Sequence, residues 1–239
     1  MNVEYHKKQS RHLGRAMELK VYGHAGKPLV VFPTGCGRFY EYEDFGMVAA
    51  LQGPIDEGQI QLYTLDSVDC ESWMAHWMFP GDRAWRHLQY ERYLLEELVP
   101  FVRARSGYEG RLMTTGCSVG AYHAANFFFK HPDVFGSVVA LSGIYGPQYF
   151  VGDYMDDNVY FNSPLLFLPN LDDPWYLEKY RRGKIILCAG QGAWEDEMQS
   201  DARAMRGILQ EKGIPAWVDL WGHDVNHDWP WWRKQLPYF

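Results

Sequence analysis

Cysteine is scarce in this chain. Four are present in 239 residues, at Cys36, Cys70, Cys117 and Cys188, and no two form a Cys-x-x-Cys pair. That spacing argues against a zinc knuckle or a disulfide framework and predicts free thiols in a reducing, cytoplasmic setting. Long apolar runs are also missing, so no bilayer-spanning segment is expected. Positive charge is in the minority. With 23 Lys and Arg against 30 Asp and Glu, the net charge is −7 and no basic cluster exceeds a few residues, which argues against a nucleic-acid partner. The opening residues 1–8 have no apolar core behind them and do not read as a secretory signal, and Met1 reads as the start of the chain. There is no internal repeat, low-complexity tract or linker, so a single domain over 1–239 is predicted. Aromatic residues are plentiful at 16% of the chain. That is enough to furnish a core and also to line a pocket or a contact between copies in a homo-oligomer.

Short apolar segments alternate with helical ones. Strands are predicted at 16–22, 28–33, 59–65, 111–115, 136–141, 184–189 and 216–221. Helices are predicted at 83–105, with a kink at Pro100, and at 121–130, 199–212 and 229–235. This alternation implies a mostly parallel sheet covered on both faces, an α/β architecture. Residues 142–183 break the pattern. They are rich in Tyr, Asp, Asn and Pro, and a connection of that length implies a lid-like or pocket-forming insertion.

The segment Gly116-Cys117-Ser118-Val119-Gly120 stands between a predicted strand and a predicted helix. In that context Gly-x-Ser-x-Gly is a sharp turn that exposes a serine hydroxyl and aims the first N–H groups of the helix at an oxyanion. As a bare five-residue pattern it occurs often by chance, and the flanking strand and helix are what give it weight. Cys117 lies beside the serine but should point into the fold as a small buried group.

A serine hydroxyl needs a base, and the base needs an acid to orient it, in the chain order Ser, acid, His. The acid is expected after the strand at 184–189, where Glu195 and Asp196 compete. Asp196 is also suited to cap the following helix, which favours Glu195 and leaves Asp196 as the alternative. The base is expected after the last strand, where His223 and His227 compete. The His223-x3-His227 spacing, with Asp224 and Asp228 adjacent, has a metal-site reading. Gly222, Asn226 and Pro230 break the continuous helix it requires, and no third ligand is marked, so no metal or cofactor is assigned. For the oxyanion, the donors expected are the N–H of Val119 and one from the turn 33–38, with Cys36 preferred to Gly37. Trp73, Trp77 and Trp194 are candidates to line an acyl pocket, although core packing is the ordinary fate of a single Trp.

Four stretches resemble one family: Gly116-Cys117-Ser118-Val119-Gly120-Ala121-Tyr122, Phe128-Phe129-Lys130-His131-Pro132-Asp133-Val134-Phe135, Leu141-Ser142-Gly143, and His227-Asp228-Trp229 followed by Trp232. They are similar to the esterase family of the α/β-hydrolase superfamily that includes S-formylglutathione hydrolase, feruloyl esterases and the antigen 85 mycolyltransferases. The resemblance runs from about 17 to 235. It implies an α/β-hydrolase fold, a small-molecule ester or thioester substrate, and His227 rather than His223 as the base. Three departures stand out: Thr34-Gly35 in place of His-Gly, Val119-Gly120-Ala121 in place of Met-Gly-Gly, and a longer acid loop. The function expected is a serine carboxylic-ester hydrolase working through an acyl-enzyme on Ser118. Acyl transfer through the same three groups is the alternative, and a non-catalytic binding or assembly protein is the reading from another class.

Overall fold

Alternating and continuous apolar segments pair into one eight-stranded sheet in the computed structural model, which describes residues 1–239. The strands are β1 (Val3–Gln9), β2 (Ala16–Tyr22), β3 (Lys27–Phe32), β4 (Ile60–Leu65), β5 (Leu112–Cys117), β6 (Phe135–Leu141), β7 (Lys184–Ala189) and β8 (Trp217–Leu220). Their spatial order is β1-β2-β4-β3-β5-β6-β7-β8. The pairs from β4 to β8 are parallel, and β2 and β1 add antiparallel at one edge. All seven residues of β6 are buried, which explains why that strand reads as a continuous apolar run.

The helices are α1 (Glu41–Asp44), α2 (Met47–Ala50), α3 (Gln52–Asp56), α4 (Pro80–Tyr93), α5 (Val99–Ser106), α6 (Val119–Lys130), α7 (Gln148–Val151), α8 (Asp157–Tyr160), α9 (Pro164–Phe167), α10 (Pro174–Arg181), α11 (Asp196–Glu211) and α12 (Trp229–Tyr238). Tyr42, Met47, Leu51, Trp229, Trp232 and Leu236 cover one face of the sheet. Tyr90, Leu98, Phe127, Phe128, Met205 and Leu209 cover the other. Each such large side chain removed from water contributes roughly 1.5–3 kcal/mol. None of the helices is long and apolar enough to cross a membrane.

Three sequence expectations are corrected. The helix expected at 83–105 begins earlier, at Pro80, and is two helices joined by a wide π-type turn at Leu94–Leu98. Pro100 has no N–H to return to the Glu96 carbonyl, and the wide turn ends just before it. The polar N-terminal residues, which gave no strand signal, form edge strand β1. Its register on β2, Val3 opposite Tyr22 through Gln9 opposite Ala16, holds it by backbone hydrogen bonds rather than by buried side chains.

The third correction concerns cysteine. Cys36 and Cys70 are joined in a disulfide, and only Cys117 and Cys188 are free, both buried. The two bonded residues are 34 apart in sequence, so no short motif announced them. They meet because β3 and β4 are parallel neighbours, and the loops leaving both strands emerge side by side. With this bond the thiol argument for a cytoplasmic setting loses its support. Closing a loop of that length constrains the unfolded chain by about 3–4 kcal/mol in the chain-entropy model. Reductant is therefore expected to move the urea midpoint down markedly. An unchanged midpoint with both thiols verified free would contradict this.

Candidate active site

Ser118 lies between β5 and α6 with φ 58° and ψ −125°, a left-handed backbone that a non-glycine residue adopts only when its surroundings enforce it. Two glycines allow the enforcement. A Cβ on Gly116 would lie 2.3 Å from the Gly120 carbonyl, and one on Gly120 would lie 2.4 Å from the carbonyl oxygens of Phe32 and Pro33. The helix therefore starts hard against β3 and β5, and the serine is pushed to the tip. Its own N–H donates to Leu141 O at 2.9 Å, while the N–H of Val119, the first helical residue, has no partner within the protein.

The loop after β3 faces this turn. Gly37 N–H donates to Thr34 O at 2.8 Å and is thereby engaged, whereas Cys36, at φ 59°, keeps an unpaired N–H. Several contacts fix the loop. Thr34 donates through its backbone N–H and its hydroxyl to the buried Glu41 carboxylate at 2.8 and 2.6 Å, Arg38 pairs with Asp66 at 2.6 Å, and Cys36 is bonded to Cys70. Burial raises the Glu41 carboxyl above its ordinary range, and the two Thr34 donors oppose that shift.

Beyond β7 and β8 two loops interlock. Gln191 N–H donates to Gly222 O at 3.2 Å, Gly192 N–H to Val225 O at 2.9 Å, Ala193 N–H to Asn226 Oδ1 at 2.8 Å, and His227 N–H to Ala193 O at 3.0 Å. The approach is so close that a Cβ on Gly190 would lie 2.1 Å from Val225 O. This zipper brings Glu195 and His227 together. Glu195 is fully buried, and its Oε1 lies 3.4 Å from His227 Nδ1. That contact is within ion-pair range but too poorly aligned for a hydrogen bond, and His227 Nδ1 has no other partner. The nearer donor to Glu195 Oε1 is the Ser142 hydroxyl at 2.5 Å, which in turn accepts from Trp232 Nε1 at 3.0 Å. The Trp232 ring also packs edge-on against His227.

The competing candidates do not contact His227. Asp196 is exposed in the first turn of α11, with Gln199 as its side-chain partner. His223 is exposed and makes no side-chain hydrogen bond, and no three His, Cys, Asp or Glu side chains converge as metal ligands would. Cys117 is fully buried with its thiol against the Tyr42 hydroxyl, and burial pushes that thiol up, so it is not available as a thiolate.

Ser118 and His227 open together into a cleft of about 520 Å³ lined by Tyr149, Trp194 and Met198, with Asp196 and Glu197 at its edge. A second recess of about 320 Å³ continues past the same pair to Thr34, Gly35 and Met74. Of the three tryptophans considered for the pocket, only Trp194 lines it. Trp73 is core, and Trp77 is 81% exposed away from the cleft. Tyr149 comes from the long segment 142–183. Ile144, Phe150, Val151 and Val159 of that segment pack with Trp73 and Tyr122 beside the serine helix. Ser142 and Trp232 belonged to stretches that carried the family resemblance, but no chemical pattern in the sequence gave them a partner.

A parallel sheet with a serine raised on a strand–turn–helix, and a buried acid and histidine on later loops, defines the α/β-hydrolase fold. The family model described as "Putative esterase" matches residues 10–238, and the chain belongs to that family. Among solved structures it is similar to a ferulic acid esterase (16% identity, TM-score 0.78, covering 99% of this chain and 95% of that one). It is also similar to FphF, the Staphylococcus aureus fluorophosphonate-binding serine hydrolase F (15%, 0.74, 99% and 96%). A third is an S-formylglutathione hydrolase from Agrobacterium tumefaciens (17%, 0.70, 99% and 93%). A search of curated protein sequences gave no match.

Proposed function

We propose that the protein is a serine carboxylic-ester hydrolase that works through an acyl-enzyme on Ser118. The observation that carries this reading is the convergence on one cleft of a strained, half-buried serine and a histidine backed by a buried carboxylate. Ser118 Oγ attacks the substrate carbonyl carbon while His227 Nε2 takes its proton. Glu195, facing Nδ1, holds the tautomer that leaves Nε2 free and balances the imidazolium. The carbonyl oxygen, now an oxyanion, sits on the N–H groups of Val119 and Cys36. His227 then returns the proton to the departing alcohol or thiol. Water repeats the sequence, and the acyl group leaves as a carboxylic acid. Ser142 and Trp232 are positioning residues for the Glu195 carboxylate. Residues 142–183 form one wall of the acyl cleft through Tyr149.

A p-nitrophenyl ester tests the scheme. We expect a burst of one p-nitrophenolate per protein, followed by slower steady release of the acid. Added alcohols that divert the acyl group to a new ester in preference to water would assign acyl transfer instead. Absence of any turnover across short-chain and aryl esters would contradict both.

A further inference from the structure

At the opposite end of the sheet from Ser118 a second cleft, of about 480 Å³, is open beside the starts of β5, β6 and β7. Arg111 and Ser118 are separated by the whole length of β5, roughly 20 Å. The cleft holds four cationic side chains, Lys27, Arg111, Arg182 and Lys184, and no acidic side chain, in a chain whose net charge is −7. Register explains the gathering. Leu29 pairs with Met113, Met113 with Ser137 and Ser137 with Lys184, so Lys27, Arg111, Ser137 and Lys184 project from one face of the sheet. Met113, Val139 and Ile186 on that same face form an apolar floor, and Phe239 from the end of α12 closes one side.

The charge here is not balanced from within. Glu178 pairs with Arg182, and no carboxylate pairs with the other three. Lys27 has one side-chain partner, the Ser137 hydroxyl at 3.3 Å. The Arg111 guanidinium is fixed by the carbonyls of Pro132, Lys179 and Arg182, which orient it without neutralising it. Burial, with Lys184 and Arg111 nearby, lowers the Lys27 ammonium below its ordinary range, so the site stabilises that charge poorly without an anion.

We propose that this cleft is a second binding site, separate from the catalytic centre, for an amphipathic organic anion. Its carboxylate head meets Lys27, Ser137 and Lys184, and its short apolar body lies over Met113, Val139 and Ile186. The site does not depend on the esterase reading.

Calorimetric titration of hexanoate into the Ser118→Ala protein tests it, with hexylammonium and inorganic phosphate as controls. Saturable one-to-one binding of hexanoate is expected, with none of hexylammonium and weaker binding of phosphate. Lys27→Met and, separately, the exposed Lys184→Ala are each expected to weaken hexanoate by about tenfold, the loss of one charged hydrogen bond. Lys27→Met is also expected to raise Tm in the absence of ligand, which a merely structural lysine would not do. Hexanoate binding that both variants leave unchanged places the ligand elsewhere and overturns the proposal. So does the absence of saturable binding, or phosphate binding as tightly as hexanoate. Absence of binding would leave the cations as side chains lying along an uncovered sheet end, and equal phosphate binding would leave a site for inorganic anions with no role for the apolar floor.

Discussion

Ser118→Ala will lower the hydrolysis of small aryl esters by about 10⁴-fold or more, with the fold and Tm essentially retained. The size follows from the mechanism. Without Oγ no acyl-enzyme forms, and what remains is binding in the cleft and whatever the free N–H groups of Val119 and Cys36 do for direct attack by water. The stability half of the prediction rests on position. Ser118 is only partly buried, and its side chain borders the open cleft. Cys117→Ala provides the contrast. It removes the only other nucleophile in the turn yet should leave activity near the parent value, because that thiol is buried against Tyr42. Steady-state rates with circular dichroism on each variant check both statements. A Cys117→Ala protein that folds but is inactive would move the chemistry to the wrong residue for this account.

Glu195→Gln is expected to cost on the order of 10³–10⁴ in kcat with little change in KM. A glutamine fits the same volume, but Ser142 and His227 both meet Glu195 at Oε1. An amide oxygen there still accepts from Ser142 yet brings no charge to balance the imidazolium, and an amide nitrogen there presents a donor to Nδ1 and favours the tautomer that cannot take the serine proton. Asp196→Asn, one residue along, is expected to change kcat by less than about twofold, because an exposed first-turn carboxylate contributes little beyond its interaction with the helix end. The pair separates the two acids directly. A larger loss in Asp196→Asn than in Glu195→Gln would assign the acid the other way.

The contrast between these neighbours shows where sequence reasoning stopped. Glu195 and Asp196 stand in the same loop, and no local pattern separates them. They differ because the loop after β7 zips onto the loop after β8, which turns residue 195 inward and leaves residue 196 at the helix start. The serine turn was legible because its demands are local, two glycines between a strand and a helix. The parallel core was legible for a similar reason, since each buried strand carries its own apolar signature. The Cys36–Cys70 bond, strand β1 and the Ser142–Trp232 support of Glu195 were not legible. Each joins residues 7 to 90 positions apart, through tertiary contacts that no local pattern announces.

Intact mass after treatment with a fluorophosphonate tests the central claim most directly. The parent protein is predicted to gain the mass of one phosphonyl group and lose esterase activity in proportion, while Ser118→Ala gains none. A folded parent that takes up no reagent, or a Ser118→Ala protein that takes up the same single group, would contradict an activated serine at this turn.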